Sequence, residues 1–141
     1  RNALSDIWLR IFELARPLME EKGSYDKAND KIKSMMVYIH EHYGEKLSIS
    51  EVAAAAFTSE RECYRSFQNC LHMTPVEYIK TYRLQMACQM LAGSPESITA
   101  IGRTCGLGSS SYFGKVFHGQ FGCTPSEYRR LWQNNTTKGQ K

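Results

Sequence analysis

The sequence predicts an all-α protein. Almost every apolar cluster recurs at the three- and four-residue spacing of a helix face, and no stretch alternates apolar and polar residues over the length of a strand. Serine and threonine caps, each followed three residues later by glutamate, mark helix starts from Ser48 onward. The length of 141 residues and the apolar content of 42% fit one domain with a short appendage.

Composition argues against several classes of protein. The sequence has no run of about 18 apolar residues and no signal-peptide pattern, so we expect a cytoplasmic protein with no membrane partner. The five cysteines are odd in number and lack zinc-ligand spacing, which predicts reduced, buried thiols and no metal. The four histidines accompany no nucleophile or carboxylate arrangement, so we expect no catalytic residue, no cofactor and no enzyme activity. The chain begins at Arg1 without an initiator methionine, and we expect a fragment of a longer protein.

The net charge of +4 is divided unevenly along the chain. Residues 1–62 hold 9 Lys/Arg and 11 Asp/Glu, a net charge of −2, whereas residues 63–141 hold 9 Lys/Arg and 3 Asp/Glu, a net charge of +6. A basic half is compatible with a phosphate-binding surface, but a merely solvated surface has the same composition. Charge alone leaves both interpretations open.

The segment 1–25 is expected to form an amphipathic helix, interrupted or bent near Pro17. Its apolar stripe consists of Leu4, Ile7, Trp8, Ile11, Phe12, Ala15, Leu18 and Met19. We assign the segment to a linker from a missing upstream regulatory domain, with a stripe packed on its own domain as the alternative.

The remaining helices are expected within a domain spanning 26–134. One covers about 30–43, and the cap signals then start short helices after Ser48 and Ser59. Thr74-Pro75 and Thr124-Pro125 open two more, a long spacer helix over 75–92 and a C-terminal helix over 125–132. The polar tail 135–141 is expected to be disordered.

The chain also contains an internal repeat. Ser48-Ile49 corresponds to Ser97-Ile98 at an offset of 49 residues, and Thr74-Pro75 corresponds to Thr124-Pro125 at an offset of 50. One added residue is therefore expected between the copies, near 109–111. Each copy reads as a helix-turn-helix, over 48–72 and over 97–121, and the alternative is a generic helical hairpin repeat.

The two predicted turns differ in their residues. The second copy has Gly102 where the helices cross and Gly106 at the turn, whereas the first has Ala53 and Phe57. Since phenylalanine is not suited to a positive φ, we expect the first turn to be built differently.

The second copy carries the residues of a known family. Ile98-Thr-Ala-Ile101-Gly102, Cys105-Gly106-Leu107, Ser111-Tyr112-Phe113, Phe121-Gly122 and Thr124-Pro125-x-Glu127-Tyr128 resemble the signature of AraC/XylS transcription regulators. The resemblance covers about 30–132 and implies a seven-helix domain that binds double-stranded DNA through two recognition helices in successive major grooves. It also implies contact with RNA polymerase, and an effector ligand bound only by a domain absent here.

Three residues depart from the family pattern. His72 replaces the glycine that usually ends the first recognition helix, and histidine tolerates a positive φ better than most residues. Gly108 and Gly114 fall at the start of and within the second recognition helix, so that helix is expected to be marginally stable without DNA.

The resemblance and the helix spacing together nominate the DNA-binding residues. Base readers are expected to be Arg61, Glu62, Tyr64 and Arg65 on the first recognition helix and Ser110, Ser111 and Lys115 on the second. A capping box with Ser59 is the first role expected of Glu62, ahead of accepting from cytosine. The alternative for Arg61 and Arg65 is that they are ordinary solvated charges paired with Glu62 or Glu60. Candidate phosphate contacts are Ser59, Arg83, Ser109, Arg129 and Arg130, with a structural ion pair as the first role of Arg83. The competing function is a protein-interaction module that docks through the Trp8 helix.

Overall fold

A computed structural model of the chain describes residues 27–139. Within that range the chain forms seven helices and no strand, which confirms the all-α prediction. The helices are α1 (Lys27–His42), α2 (Ile49–Ala54), α3 (Glu60–Leu71), α4 (Pro75–Gly93), α5 (Ile98–Thr104), α6 (Ser110–Phe121) and α7 (Pro125–Gly139). The predicted amphipathic helix in 1–25 lies outside the described residues.

The C-terminal helix is longer than expected. It begins at Pro125 as predicted but continues to Gly139, through most of the tail that was expected to be disordered. Polar residues add a backbone hydrogen bond at little cost once a helix is nucleated, and Tyr128, buried in the first turns, supplies that nucleus. The prediction of an end at 132 was therefore wrong.

The described chain divides into two compact units, with the boundary between Tyr82 and Arg83 inside α4. In the N-terminal unit, α1, α2, α3 and the start of α4 bury a common core that includes Ile32, Ile39 and Phe67. His40 lies at the edge of this core, where its Nε2 is 2.6 Å from the Tyr78 hydroxyl and burial lowers the pKa of the imidazole.

The C-terminal unit is built around aromatic residues. The ring of Phe117 packs edge-on against Phe113 at 5.8 Å and against Tyr128 at 5.7 Å, which joins α6 to α7. On the spacer helix, Leu84 and Leu91 are also fully buried. α4 thus contributes buried side chains on both sides of the unit boundary.

Reciprocal capping boxes start three of the helices. The Ser48 hydroxyl accepts a hydrogen bond from the Glu51 amide, and the Glu51 carboxylate accepts one from the Ser48 amide. Thr74 with Glu77 and Thr124 with Glu127 form the same pair of bonds. These caps confirm the predicted helix starts.

The five cysteines are free thiols, of which Cys63, Cys88 and Cys105 are buried. Burial, assisted by the nearby Glu60 carboxylate, raises the pKa of Cys63 to about 11. Burial likewise raises the pKa of Cys105 to about 11. These thiols therefore stay protonated and serve as small apolar groups of the core.

Candidate nucleic-acid interface

The two helix-turn-helix units, α2–α3 and α5–α6, have the same backbone conformation at the turn. Phe57 has φ +54° and Gly106 has φ +76°, so both turns pass through the left-handed region at the same point. A hydrogen bond from the amide of the next residue closes each turn. The Thr58 amide donates to the Ala53 carbonyl at 3.1 Å, and the Leu107 amide donates to the Gly102 carbonyl at 2.8 Å. The expectation that the first turn is built differently was wrong: Phe57 accepts the strained backbone and leaves its ring 96% exposed.

The residue added between the copies is Gly108. Thr58 and Leu107 occupy the same place after the turn, and Ser59 and Ser109 are the N-caps of α3 and α6. Gly108 alone separates Leu107 from Ser109, with φ +73°. It therefore lies before the recognition helix rather than in it, and the prediction of an addition near 109–111 was one residue late. Because Gly108 is outside the helix, it does not lower helix stability, whereas Gly114 within α6 does, as expected.

The crossing of the two helices requires a small residue in each unit. A Cβ at Gly102 would lie 2.8 Å from the ring of Phe113, so α5 and α6 approach too closely for any side chain. In the first unit the equivalent Ala53 is 1% exposed and accommodates one methyl group. The crossing in the second unit therefore requires a smaller residue than the crossing in the first.

Both recognition helices end in a left-handed residue. His72 has φ +57° and Gly122 has φ +76°, and each donates its amide to the carbonyl four residues earlier. The prediction that His72 preserves this cap is confirmed.

Helix α3 separates a buried face from an exposed, charged face. Cys63 and Phe67 are fully buried, as the four-residue spacing predicts. The structure brings all four predicted base readers to the remaining faces: Arg61, Tyr64 and Arg65 are exposed and Glu62 is half-buried.

The Glu62 carboxylate has a different partner from the one expected. The Ser59 hydroxyl accepts from the Glu62 amide at 3.2 Å. However, the Glu62 carboxylate lies 3.4 Å from the Arg65 guanidinium instead of completing a capping box. At this distance, between an exposed arginine and a partly exposed glutamate, the pair is weak, and it can open for another partner.

Helix α6 presents smaller side chains. Ser110, Ser111 and Lys115 are exposed, while Phe113 and Phe117 are buried as predicted. The Ser110 hydroxyl is 2.7 Å from the hydroxyl of Thr99 on α5, so one of its hydrogen bonds is already made within the unit. Sequence reasoning passed over Tyr112, which is 50% exposed and is equivalent to Glu62 at the offset of 50 that the repeat supplies.

The predicted phosphate contacts separate into different roles. The hydroxyls of Ser59 and Ser109 already cap their own helices. Arg83 is half-buried near Tyr112, and burial lowers the pKa of its guanidinium. Arg130 is exposed.

Arg129 does not fit a phosphate contact. Its guanidinium donates to the Leu91 carbonyl at 3.1 Å and to the Ser94 carbonyl at 3.0 Å. These are orphan carbonyls at the C-terminal end of α4, where a cation is favourable. Arg129 therefore connects α7 to the end of α4, and the prediction that it contacts phosphate is not retained.

The described residues offer no group of three or more His, Cys, Asp or Glu side chains that could hold a metal ion. Among the same residues no helix is long and apolar enough to cross a membrane.

Comparison with known proteins gives a consistent picture. A family model described as a helix-turn-helix domain matches residues 52–131. The HTH-type transcriptional regulator YdeC of Bacillus subtilis is 33% identical over 101 residues, covering 72% of this chain and 35% of the relative. The HTH-type transcriptional activator RhaS of Klebsiella pneumoniae is 29% identical over 126 residues, covering 88% of this chain and 44% of the relative. The chain thus spans less than half the length of these relatives.

Solved structures share the fold. An AraC-type regulator from Chromobacterium violaceum superposes with a TM-score of 0.70 at 29% identity, covering 73% of this chain and 92% of that one. The DNA-binding domain of the transcription factor AdpA, solved with a target DNA, superposes with a TM-score of 0.71 at 25% identity, covering 74% of this chain and 95% of that one.

Proposed function

Because the chain belongs to the AraC-type helix-turn-helix family of DNA-binding transcription regulators, we propose that α3 and α6 enter successive major grooves of promoter DNA and that α3 reads most of the sequence. The observation that carries this proposal is that the two helix-turn-helix units have equivalent backbones. In each unit the second helix buries its aromatic face, and the residues predicted to contact bases lie on its remaining faces.

The chemistry of α3 suits guanine. Arg61 and Arg65 lie four residues apart on its exposed surface, and a guanidinium can donate two hydrogen bonds to the O6 and N7 acceptors of guanine. In the free protein Glu62 balances the charge of Arg65. On DNA the same carboxylate can hold Arg65 in position or accept a bond from the cytosine amino group.

The chemistry of α6 suits affinity more than base selection. Lys115 is exposed at the position equivalent to Arg65 and carries a compact charge that any phosphate can satisfy. Ser110 and Ser111 have small hydroxyls that adapt to several base edges. We assign Arg130, and Arg83 in a secondary role, to phosphate contacts.

The regulatory outcome belongs to the whole protein. The similarity to RhaS, named a transcriptional activator, supports activation. Contact with RNA polymerase and control by an effector bound to an upstream domain remain predictions from the family. A protein-interaction module docking through the Trp8 helix is the second candidate.

The proposal is tested by fluorescence-anisotropy titration of the full chain with a duplex selected from a random pool, at several salt concentrations. We expect affinity to fall steeply with salt, because phosphate contacts release counterions. Arg65→Ala should weaken binding to the selected duplex about tenfold to a hundredfold, while sparing binding to unrelated DNA.

Lys80→Ala is the matched control, because Lys80 is an exposed cation on α4 outside both recognition helices. It should leave the preference for the selected duplex unchanged. Absence of binding at low salt would refute the proposal and favour the protein-interaction module.

A further inference from the structure

A hydrogen bond between two exposed side chains joins α5 to the start of α6. The Ser110 hydroxyl lies 2.7 Å from the Thr99 hydroxyl, and either oxygen can be the donor. Ser110 is the first residue of α6, and Thr99 lies near the start of α5, so the bond connects the two helices of the second helix-turn-helix unit. It places a threonine hydroxyl directly beside a residue that is predicted to contact bases.

We propose that Thr99 is a positioning residue that bridges a backbone phosphate to Ser110 and makes Ser110 select a base with an amino group. The inference rests on the proposed function, in which α6 enters the major groove. In a helix-turn-helix unit on DNA, the first helix crosses the sugar–phosphate backbone while the second enters the groove. Thr99 lies on that first helix and is exposed, so its hydroxyl is the member of the pair that adjoins the backbone.

The direction of the bond follows from the number of hydroxyl protons. Each hydroxyl has one proton and two lone pairs. A phosphate oxygen is an anionic acceptor, which binds a donor more strongly than a neutral oxygen does, so the Thr99 hydroxyl donates to the phosphate. The bond between the two hydroxyls then uses the proton of Ser110.

This direction restricts what Ser110 can offer to a base. A serine hydroxyl alone can donate or accept, but with its proton on Thr99 it can only accept. Acceptors match the N6 amino group of adenine and the N4 amino group of cytosine, whereas guanine and thymine present acceptors at the same edge. Ser110 should therefore prefer adenine or cytosine on the strand that it contacts.

The test is an anisotropy titration of the full chain with a selected duplex in which each base pair is inverted in turn. At one pair in the half contacted by α6, inversion should weaken binding about threefold to tenfold, the effect of one neutral hydrogen bond. Ser110→Ala identifies this pair, because it should remove the penalty there and nowhere else. The effect is small, so α3 remains the main reader.

Variants of Thr99 separate positioning from simple packing. Thr99→Val keeps the shape but removes the hydroxyl, so Ser110 regains its proton and the penalty for inversion should disappear. Thr99→Ser keeps the hydroxyl and should retain the penalty. Thr104→Val is the matched control, because Thr104 is also exposed but lies at the other end of α5. If circular dichroism shows that Thr99→Val is unfolded, Thr99→Ala replaces it with the same expectation.

Duplexes with a single neutral methylphosphonate linkage test the phosphate contact. One such linkage near the identified pair should weaken binding of the parent protein and of Thr99→Ser about threefold more than binding of Thr99→Val, which has no hydroxyl to lose. Thr104→Val should respond as the parent protein does.

The outcomes separate this inference from the function on which it rests. If the parent protein bound no duplex, the proposed function would fail and the inference with it. If the parent protein bound but Thr99→Val kept its inversion penalty and its methylphosphonate response, the inference alone would be overturned. A preference for guanine or thymine at the identified pair would also overturn it, because these bases need a proton from Ser110. Loss of the preference in Thr99→Val with retention in Thr99→Ser supports it.

Discussion

The two helix-turn-helix units share the backbone conformation of the turn and of the recognition-helix end, but they have very different side chains at equivalent positions. The second has glycine at the crossing, the turn and the helix end, and two more glycines, Gly114 and Gly119, within α6. The first has a side chain at each equivalent position, including Phe57 and His72 in left-handed conformations. The same backbone conformation is therefore compatible with both sequences. The first unit has more side chains on its helix surface, but two of its non-glycine residues adopt a strained left-handed conformation.

This difference bears on DNA recognition. Base contacts are made mainly by side chains. At the positions where α3 has two arginines, a glutamate and a tyrosine, α6 has a serine, a tyrosine, a glycine and a lysine. The helix with more glycine also loses more conformational entropy on ordering. These differences support the proposal that α3 reads most of the bases and that α6 mainly adds affinity.

The largest effect is expected at the crossing of α5 and α6. Gly102→Val should lower the free energy of unfolding of the C-terminal unit by about 2 to 3 kcal/mol, since even a Cβ there would lie 2.8 Å from Phe113. The opposite change at the equivalent residue of the first unit, Ala53→Gly, removes one buried methyl group and should cost only about 1 kcal/mol. Urea unfolding followed by circular dichroism measures both, and a loss in Gly102→Val no larger than the loss in Ala53→Gly would contradict the clash with Phe113.

Two glycines near the start of α6 should respond in opposite directions. Gly108→Ala should destabilise by about 1 to 2 kcal/mol, because φ +73° is unfavourable for alanine. Gly114→Ala should stabilise by about 1 kcal/mol, because the new Cβ meets no atom within 4 Å and helix propensity improves. The same unfolding experiment compares the two variants. If both raised or both lowered the free energy of unfolding, the assignment of Gly108 to the turn and of Gly114 to the helix would be contradicted.

The strained turn of the first unit should be relieved by glycine. Phe57→Gly should raise the unfolding free energy by about 0.5 to 1 kcal/mol, because it removes a left-handed side chain that is 96% exposed and contributes little packing. Phe57→Ala is the control and should give no comparable gain, since alanine keeps the strain. A loss of stability in Phe57→Gly would mean that the ring has a contact that stabilises the fold.

The smallest effects concern the caps that both halves share. The Thr74 amide and hydroxyl lower the pKa of Glu77, and the Thr124 amide and hydroxyl lower the pKa of Glu127. Because the folded-state pKa is depressed, this stabilisation is present above the unfolded pKa of glutamate and is lost as pH falls through the folded pKa.

Glu77→Gln and Glu127→Gln should therefore each flatten the acid side of the stability–pH profile, and by similar amounts. The measurement is thermal unfolding across the acidic range. A flattening by only one of the two variants would break the equivalence of the caps.

Much of this architecture is readable from local sequence signals. The caps at Ser48, Thr74 and Thr124 fix helix starts because they satisfy orphan amides within three residues. The buried faces of α3 and α6 follow from the four-residue spacing of Cys63 with Phe67 and of Phe113 with Phe117. The His72 cap was also predictable, because histidine is tolerated at positive φ.

The missed features depend on competition or on distant partners. Phe57 adopts a conformation that its own propensity disfavours, because the surrounding helix packing determines the turn. The Arg129 guanidinium finds carbonyls 35 and 38 residues earlier in the chain, which no local pattern shows. The Glu62 carboxylate has two possible partners within one helical turn, the Ser59 amide and the Arg65 guanidinium. Residue spacing alone does not show that it pairs with Arg65.

The division of labour between α3 and α6 is tested most directly by a base-pair substitution scan. Each position of a selected duplex is changed in turn, and binding of the wild type, Arg65→Ala and Lys115→Ala is measured by anisotropy. We predict that the sensitive positions cluster in one half of the site, that Arg65→Ala erases a guanine preference there, and that Lys115→Ala weakens binding to every duplex alike. Equal sensitivity across both halves, unaffected by Arg65→Ala, would contradict it.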